Sequence, residues 1–196
     1  TDDWHMFSFG DAYWVVPHPT DENIFISEAQ GGAIFRTNLA NRQQLDINPQ
    51  TRRNDGGPVG DLEYRFNWNS PIIQSPHDPL TVYFGGNVVF KTTDFGDTWS
   101  AISPDLTTND ETKQGPAGGP AWYENTVAEW HTTIISLAES PHTAGILWVG
   151  TDDGNIQLSR NGGQDWTQLK RPSGIDEFSP VSHIEPSSTE AGVAYI

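Results

Sequence analysis

Between Ala121 and His131 the chain crowds aromatic, acidic and imidazole side chains together: Trp122, Tyr123, Glu124, Glu129, Trp130 and His131. The same types recur at Asp61, Glu63, Trp68 and Asn69, and again in the loop Thr151-Asp152-Asp153-Gly154. Ring faces stack on the C–H faces of pyranoses while carboxylates and amides take hydroxyls, so this chemistry suits a groove for sugars or for an extended peptide. Two carboxyl groups held roughly 5–5.5 or 6.5–9.5 Å apart would add glycosidic acid–base chemistry. The candidate ligand-binding residues are Trp68, Trp122, Tyr123, Glu129, Trp130, His131 and Asp153. A plainer use stands beside this one. Trp68 and Trp130 each precede a short apolar run, where an indole can seal the gap between two sheets, and acidic loops can be merely solvated.

The elements that would position these residues are short strands in a repeat. Four apolar runs end near a proline: Trp14-Val15-Val16-Pro17, Ile72-Ile73-Gln74-Ser75-Pro76, Ile135 to Pro141 and His183-Ile184-Glu185-Pro186. A polar turn follows each, then a second apolar run at Asn23–Ile26, Thr81–Phe84, Ile146–Val149 and Val193–Ile196. Gly-containing loops lead to third strands at Ala33–Arg36, Val88–Lys91 and Asn155–Leu158, and fourth strands close at Leu45–Ile47, Trp99–Ile102 and Trp166–Leu169. Repeated units of four short strands joined by tight turns predict β-propeller blades. No helical periodicity competes with this pattern.

Two third-to-fourth-strand turns share a pattern of hydroxyl, any, Asp or Asn, any, Gly, any, any, Trp. They are Thr92, Asp94, Gly96 and Trp99, and Ser159, Asn161, Gly163 and Trp166. A short carboxylate or amide there can bond to the turn's own N–H groups, glycine supplies φ > 0, and the Trp opens the return strand. The pattern resembles the Asp-box, or bacterial neuraminidase, repeat. Trp68-Asn69-Ser70-Pro71-Ile72, Gly85 to Lys91, Glu129 to Ile134 and Gly150 to Ile156 are similar to segments of exported bacterial propeller proteins described as sortilin-like or, by repeat alone, as glycosyl hydrolases. The resemblance implies structural roles for the eight box residues. It also implies one candidate catalytic residue, Asp152, because Thr151-Asp152-Asp153-Gly154 resembles the loop in which xyloglucan-cleaving propellers place a catalytic Asp. A sialidase reading fails, since the chain has no Arg-Ile-Pro motif and its arginines are scattered.

The expected fold is all-β: a single partial propeller domain over 1–196, with blades near 11–48, 69–104 and 131–171 and an incomplete one at 180–196. Insertions fall near 49–67 and 104–129. The count of about three and a half blades predicts a fragment of a larger propeller, completed by further blades of the same or a partner chain. The insertions should open on the face that carries the second-to-third-strand loops, with the boxed turns opposite. Insertions gathered on one face of a repeat array mark its binding face.

Composition narrows the partners. Net charge is −16, from 26 acidic and 10 basic residues, which opposes nucleic acid and anionic membrane surfaces. No apolar run approaches the ~20 residues of a membrane span. With no cysteine there are neither disulfides nor thiolate metal sites, and the histidines lack zinc-type spacing. His18, His77 and His142 each follow a proline and read as one repeated turn position. No cofactor is expected beyond Ca²⁺ on Asn109-Asp110-Glu111 or Asp152-Asp153, which lack an EF-hand pattern. Two functions are carried forward. One is an extracellular or periplasmic module that binds a protein, peptide or polysaccharide on the insertion face without catalysis. The other is a glycoside hydrolase whose cleft needs further blades.

Overall fold

A computed structural model describes residues 10–50, 57–116, 118, 121–122 and 130–196. The alternating apolar runs form three four-stranded antiparallel sheets, each a meander in chain order. The first sheet holds β1 (Ala12–Pro17), β2 (Ile24–Ala29), β3 (Ala33–Asn38) and β4 (Gln43–Asp46). The second holds β5 (Ile72–Gln74), β6 (Val82–Gly85), β7 (Val89–Thr92) and β8 (Ser100–Ala101), and the third β9 (Ile134–Glu139), β10 (Leu147–Thr151), β11 (Ile156–Ser159) and β12 (Thr167–Gln168). A two-stranded sheet of β13 (Glu185–Pro186) and β14 (Ala194–Tyr195) follows. Among the described residues the helices are single 3-10 turns at Val59–Asp61 and Glu111–Lys113, both inside the expected insertions.

The sheets stack face to face as blades, with their first strands side by side: β1 next to β5, β5 next to β9, β9 next to β13. Because side chains alternate across a strand, each middle blade feeds two apolar layers. Val82, Phe84 and Phe90 pack toward Ile26, Ile34 and Ile47 of the first blade. Tyr83 and Val89 pack toward Ile134, Leu137, Leu147 and Val149 of the third. Trp148, Ile156 and Leu158 then meet Val181 and Ile184.

The repeat is registered by a turn cap rather than by proline. His18 Nδ1 accepts from the amides of Thr20 and Asp21, and Ser75 Oγ and Ser187 Oγ accept from the corresponding pairs, His77 and Asp78, and Thr189 and Glu190. Ser140 Oγ accepts from His142 N. Pro17 therefore matches Gln74, Glu139 and Pro186, while Pro76 and Pro141 sit two places further on. This also corrects the single histidine position. His77 and His142 are equivalent, and each ring reaches the carbonyl of the next blade's cap through Nε2, Ser140 O at 2.7 Å and Ser187 O at 3.1 Å. A contact with a carbonyl requires Nε2 to carry the proton. His18 instead lies edge-on to Phe95, with centroids 4.7 Å apart.

The two boxed turns share one hydrogen-bond plan. Thr92 Oγ1 donates to Asp94 Oδ1 at 2.6 Å and accepts from Gly96 N at 3.0 Å, while Asp94 accepts from Thr98 N at 2.9 Å and Thr98 Oγ1 at 2.6 Å. Ser159 and Asn161 repeat this with Gly163 N and Asp165 N. Gly96 and Gly163 have φ of 92° and 93°. A Cβ at either would lie 2.6 Å from Ile47 Cδ1 or 2.7 Å from Ile102 O of the preceding blade, so chirality and space both demand glycine. Trp166 Nε1 donates to Ile102 O at 3.2 Å. Trp99 is half-buried against Phe84.

Hydrogen bonds from Thr92 and Thr98 hold the Asp94 carboxyl down at about 2. Asp94→Ala should destabilise the protein by about 0.5–2 kcal/mol, as loss of other side-chain caps does. Because the folded pKa is lowered, the contribution is present above the usual Asp range and is lost as pH falls toward 2. Urea midpoints at neutral pH and in acid measure both, and a variant that keeps its deficit undiminished in acid would rule out the carboxylate as the source.

Candidate functional site

Described residues of both insertions meet the loops between second and third strands, through Arg65, Asn67 and Thr108. Arg65 is buried in the first insertion. Its amide donates to Asn87 Oδ1 in the β6–β7 loop at 3.0 Å. Its guanidinium donates to Thr132 O at 3.3 Å and to Asp105 Oδ2 at 2.5 Å. Asn87 Nδ2 also donates to Asp105 Oδ2, at 2.9 Å. Burial pushes the Asp105 carboxyl up, but hydrogen bonds from Asn87 and Thr107 and the Arg65 charge outweigh it and leave it below the usual carboxylate range. Gly60 N donates to Gln114 O at 3.1 Å, and Gln114 Nε2 bonds to Thr132 Oγ1 at 3.2 Å. The two insertions are thus tied to each other and to the entrance of β9.

Asp152 and Asp153 anchor the same platform from the third blade. Asp152 is 9% exposed; Oδ1 accepts from Thr133 N at 2.9 Å, and Oδ2 from Thr133 Oγ1 at 2.6 Å and Asn67 Nδ2 at 3.4 Å. Burial raises its proton affinity, with Asp153 adding to the rise and the Thr133 bonds and His131 opposing it. Asp153, 2% exposed, accepts from Thr151 Oγ1 through Oδ1 and from Thr108 N and Oγ1 through Oδ2, at 2.8 and 2.7 Å. The pair reads in sequence as an exposed acidic loop. Folded, its carboxylates point down and clamp the loops around them.

Other candidates lie nearer the solvent. Trp122 is 79% exposed. Trp68, Trp130 and His131 are half-buried, and Trp68 Nε1 and His131 Nδ1 are enclosed without a hydrogen-bond partner. Tyr123, Glu124 and Glu129 lie outside the described residues. Thr132, between His131 and the anchor Thr133, has φ of 60°, rare for a β-branched residue. It is held by its contacts with Arg65 and Gln114 and by its own Oγ1 donating to His131 O at 2.6 Å. Strain of this kind gathers at functional sites.

The candidate list omits a third loop on this face, 170–180. Arg171 bonds through its guanidinium to Gly154 O and Asp176 O, and Val181 N returns to Thr151 O at 2.9 Å. The loop presents Ile175 and Phe178 at 50% and 61% exposure. Two apolar residues beside Gly174 and Asp176 were the available signal. A groove of about 450 Å³ follows the first strands, lined by Trp14, Asn69, Ile73, Gln74, Ile135 and Leu137 among others. Among the described residues no group of three or more His, Cys, Asp or Glu could hold a metal ion, and no helix is long and apolar enough to cross a membrane.

No protein-family model and no curated protein matches the chain. Solved structures do. The chain is similar to the GH74 enzyme of Niastella koreensis at 19% identity and a TM-score of 0.56, over 94% of this chain and 25% of that one. It is similar to the extracellular domain of a one-component system from B. thetaiotaomicron at 14% identity and a TM-score of 0.52, over 90% of this chain and 19% of that one. YCF48 bound to D1 peptide aligns at 15% identity and a TM-score of 0.48, over 92% of this chain and 45% of that one. The chain spans at most a quarter of the first two, and at these identities the likeness shows the fold alone: this is an all-β chain built of β-propeller blades.

Proposed function

We propose that the chain is an exported binding module that holds a protein, peptide or glycan on its insertion face without cleaving it. The boxed turns are Asp-box hairpins with a structural role. The observation that carries the reading is the bracing of the insertions by buried and half-buried polar side chains (Arg65, Asn67, Asp105, Gln114, Asp152 and Asp153) in loops that also carry partly or largely exposed aromatics. Bracing of that kind fixes contact groups before a partner arrives and lowers the entropic cost of association. The alternative is a glycoside hydrolase with Asp152 as its acid, and the raised proton affinity of Asp152 favours it. Against it stands the engagement of both Asp152 oxygens by Thr133 and Asn67.

A glycan and peptide array probed with the wild type and with Trp122→Ala tests the binding role. Trp122 is mostly exposed, so the variant should melt with the wild type while binding falls at least about tenfold, as at aromatic anchors of other interfaces. Undiminished binding by the variant would place the ligand elsewhere. Release of reducing ends from a polysaccharide, abolished by Asp152→Asn in protein that stays folded, would establish the hydrolase instead.

A further inference from the structure

We propose that the partner is a cationic polypeptide bearing apolar side chains; the inference rests on the binding role of the insertion face and names its ligand class. The three loops between blades form one continuous surface. The first meets the second through Gly60 and Gln114, the second meets the β10–β11 loop through Thr108 and Asp153, and that loop meets the third through Gly154 and Arg171. Each loop raises carboxylates into solvent: Glu63 from the first, Glu111 beside the half-buried Asp110 from the second, and Asp176 and Glu177 from the third. The exposed bases among the described residues of these loops are Lys113 and Lys170, and the guanidiniums of Arg65 and Arg171 are occupied by the loops themselves. Among the described residues of these loops carboxylates outnumber cations even with Arg171 counted, so this part of the face is net acidic on a molecule of net charge −16.

Charge is joined by exposed apolar surface. Asp176 caps its own turn, its Oδ1 accepting from Phe178 N at 3.1 Å and its carbonyl from Ser179 N at 3.1 Å. That turn fixes Phe178 and Ile175 outward beside Glu177. Large side chains held in solvent within a rigid turn gain nothing for the fold and match the apolar centre of an interface, with carboxylates as its polar rim. Lysine and arginine side chains suit such a rim, because their stems cover apolar surface while their heads reach the carboxylates.

The test uses a synthetic amphipathic peptide of lysine and leucine, its counterpart with glutamate for lysine, and a neutral xyloglucan oligosaccharide. Titrations are run on the wild type, on Glu111→Gln/Glu177→Gln, on Glu22→Gln/Glu190→Gln in the turns of the opposite face, and on Phe178→Ser. The two pairs remove equal charge, so general attraction to an acidic protein affects them alike. The lysine peptide should bind and the glutamate peptide should not. The face pair should weaken binding about three- to tenfold more than the control pair, and Phe178→Ser should weaken it further. Raising salt from about 0.1 M to about 1 M, which shortens screening from about 10 to about 3 Å, should also weaken it. Equal losses in the two charge pairs, or indifference to Phe178→Ser, overturn the inference. Should the oligosaccharide alone bind and be lost with Trp122→Ala, the binding role stands while this partner class falls. If no probe binds to this face, both fall.

Discussion

Glu28→Gln should stabilise this protein by several kcal/mol at pH 8 and by little at pH 5. Glu28 is the penultimate residue of β2, on the side facing the second blade, opposite Trp14 on β1 and Ile34 on β3. It is 0% exposed, and neither carboxyl oxygen has a hydrogen-bond partner. Burial drives its pKa from 4.5 to about 9. The amides of Ser70 and Gly32 stabilise the anion in part from outside good hydrogen-bonding geometry, and no charged side chain compensates. The sign follows from linkage. Below the unfolded pKa both states hold the proton and the interface is undisturbed. Between about 4.5 and about 9 the unfolded chain has released a proton that the folded chain retains. Stability then falls by about 1.4 kcal/mol per pH unit until the folded group ionises, for a total of several kcal/mol. Glutamine has the same shape and cannot ionise. Denaturant midpoints at pH 5, 7 and 9 should fall for the wild type and stay nearly level for the variant, after allowance for pH effects common to both. Parallel profiles would mean that Glu28 is hydrated or ionised in the folded protein.

Nothing local in the sequence announces this residue. In Phe25-Ile26-Ser27-Glu28-Ala29 strict alternation places Glu28 with Ile26 on the core side, yet a single Glu near a strand end reads equally well as a surface residue. The strands themselves were legible because their signals are local. Apolar alternation and Gly-containing loops fall in every complete blade at matching places, the boxed turns in two of the three, and the twelve strands expected of the three complete blades were found. The proline register failed because proline restricts its own backbone without marking one fixed place in a turn. The position that recurs is an acceptor for one or two turn amides, filled by His in one blade and by Ser in the others.

The site was legible in outline only. Its face followed from the order of strands in a blade. Its bracing did not, since Asn67 with Asp152 and Arg65 with Thr132 are separated by 85 and 67 residues and carry no shared periodicity. An acidic dipeptide beside Gly also looks the same in sequence whether it faces water or clamps a loop. Asp152 and Asp153 do the latter, so the charge available to a partner comes from Glu63, Glu111 and Glu177 instead.

Arg65→Met should cost up to about 3–5 kcal/mol, the effect of removing one partner from a buried ion pair, lowered as far as water reaches the partly exposed Asp105. Methionine retains much of the apolar bulk but leaves Asp105 without its cation, and Thr132 O and Thr107 Oγ1 without a donor from this side chain. Arg65→Lys should recover only part of this. An ammonium can neutralise Asp105, but it lacks the planar fork that meets Asp105 and Thr132 in different directions. Adding Asp105→Asn to Arg65→Met removes the stranded charge, and the double variant should regain at least about 1 kcal/mol over the single one. The effect should begin locally. The insertions and the strained Thr132 depend on this guanidinium, whereas the inter-blade layers do not touch it. Amides in 104–116 and 130–133 should therefore exchange faster before those of β6 and β10 do, and partner binding should weaken at temperatures where the sheets remain intact. Uniform acceleration across all blades, or a loss below about 1 kcal/mol, would mean that the insertions are held by their own turns and that Arg65 only fills space.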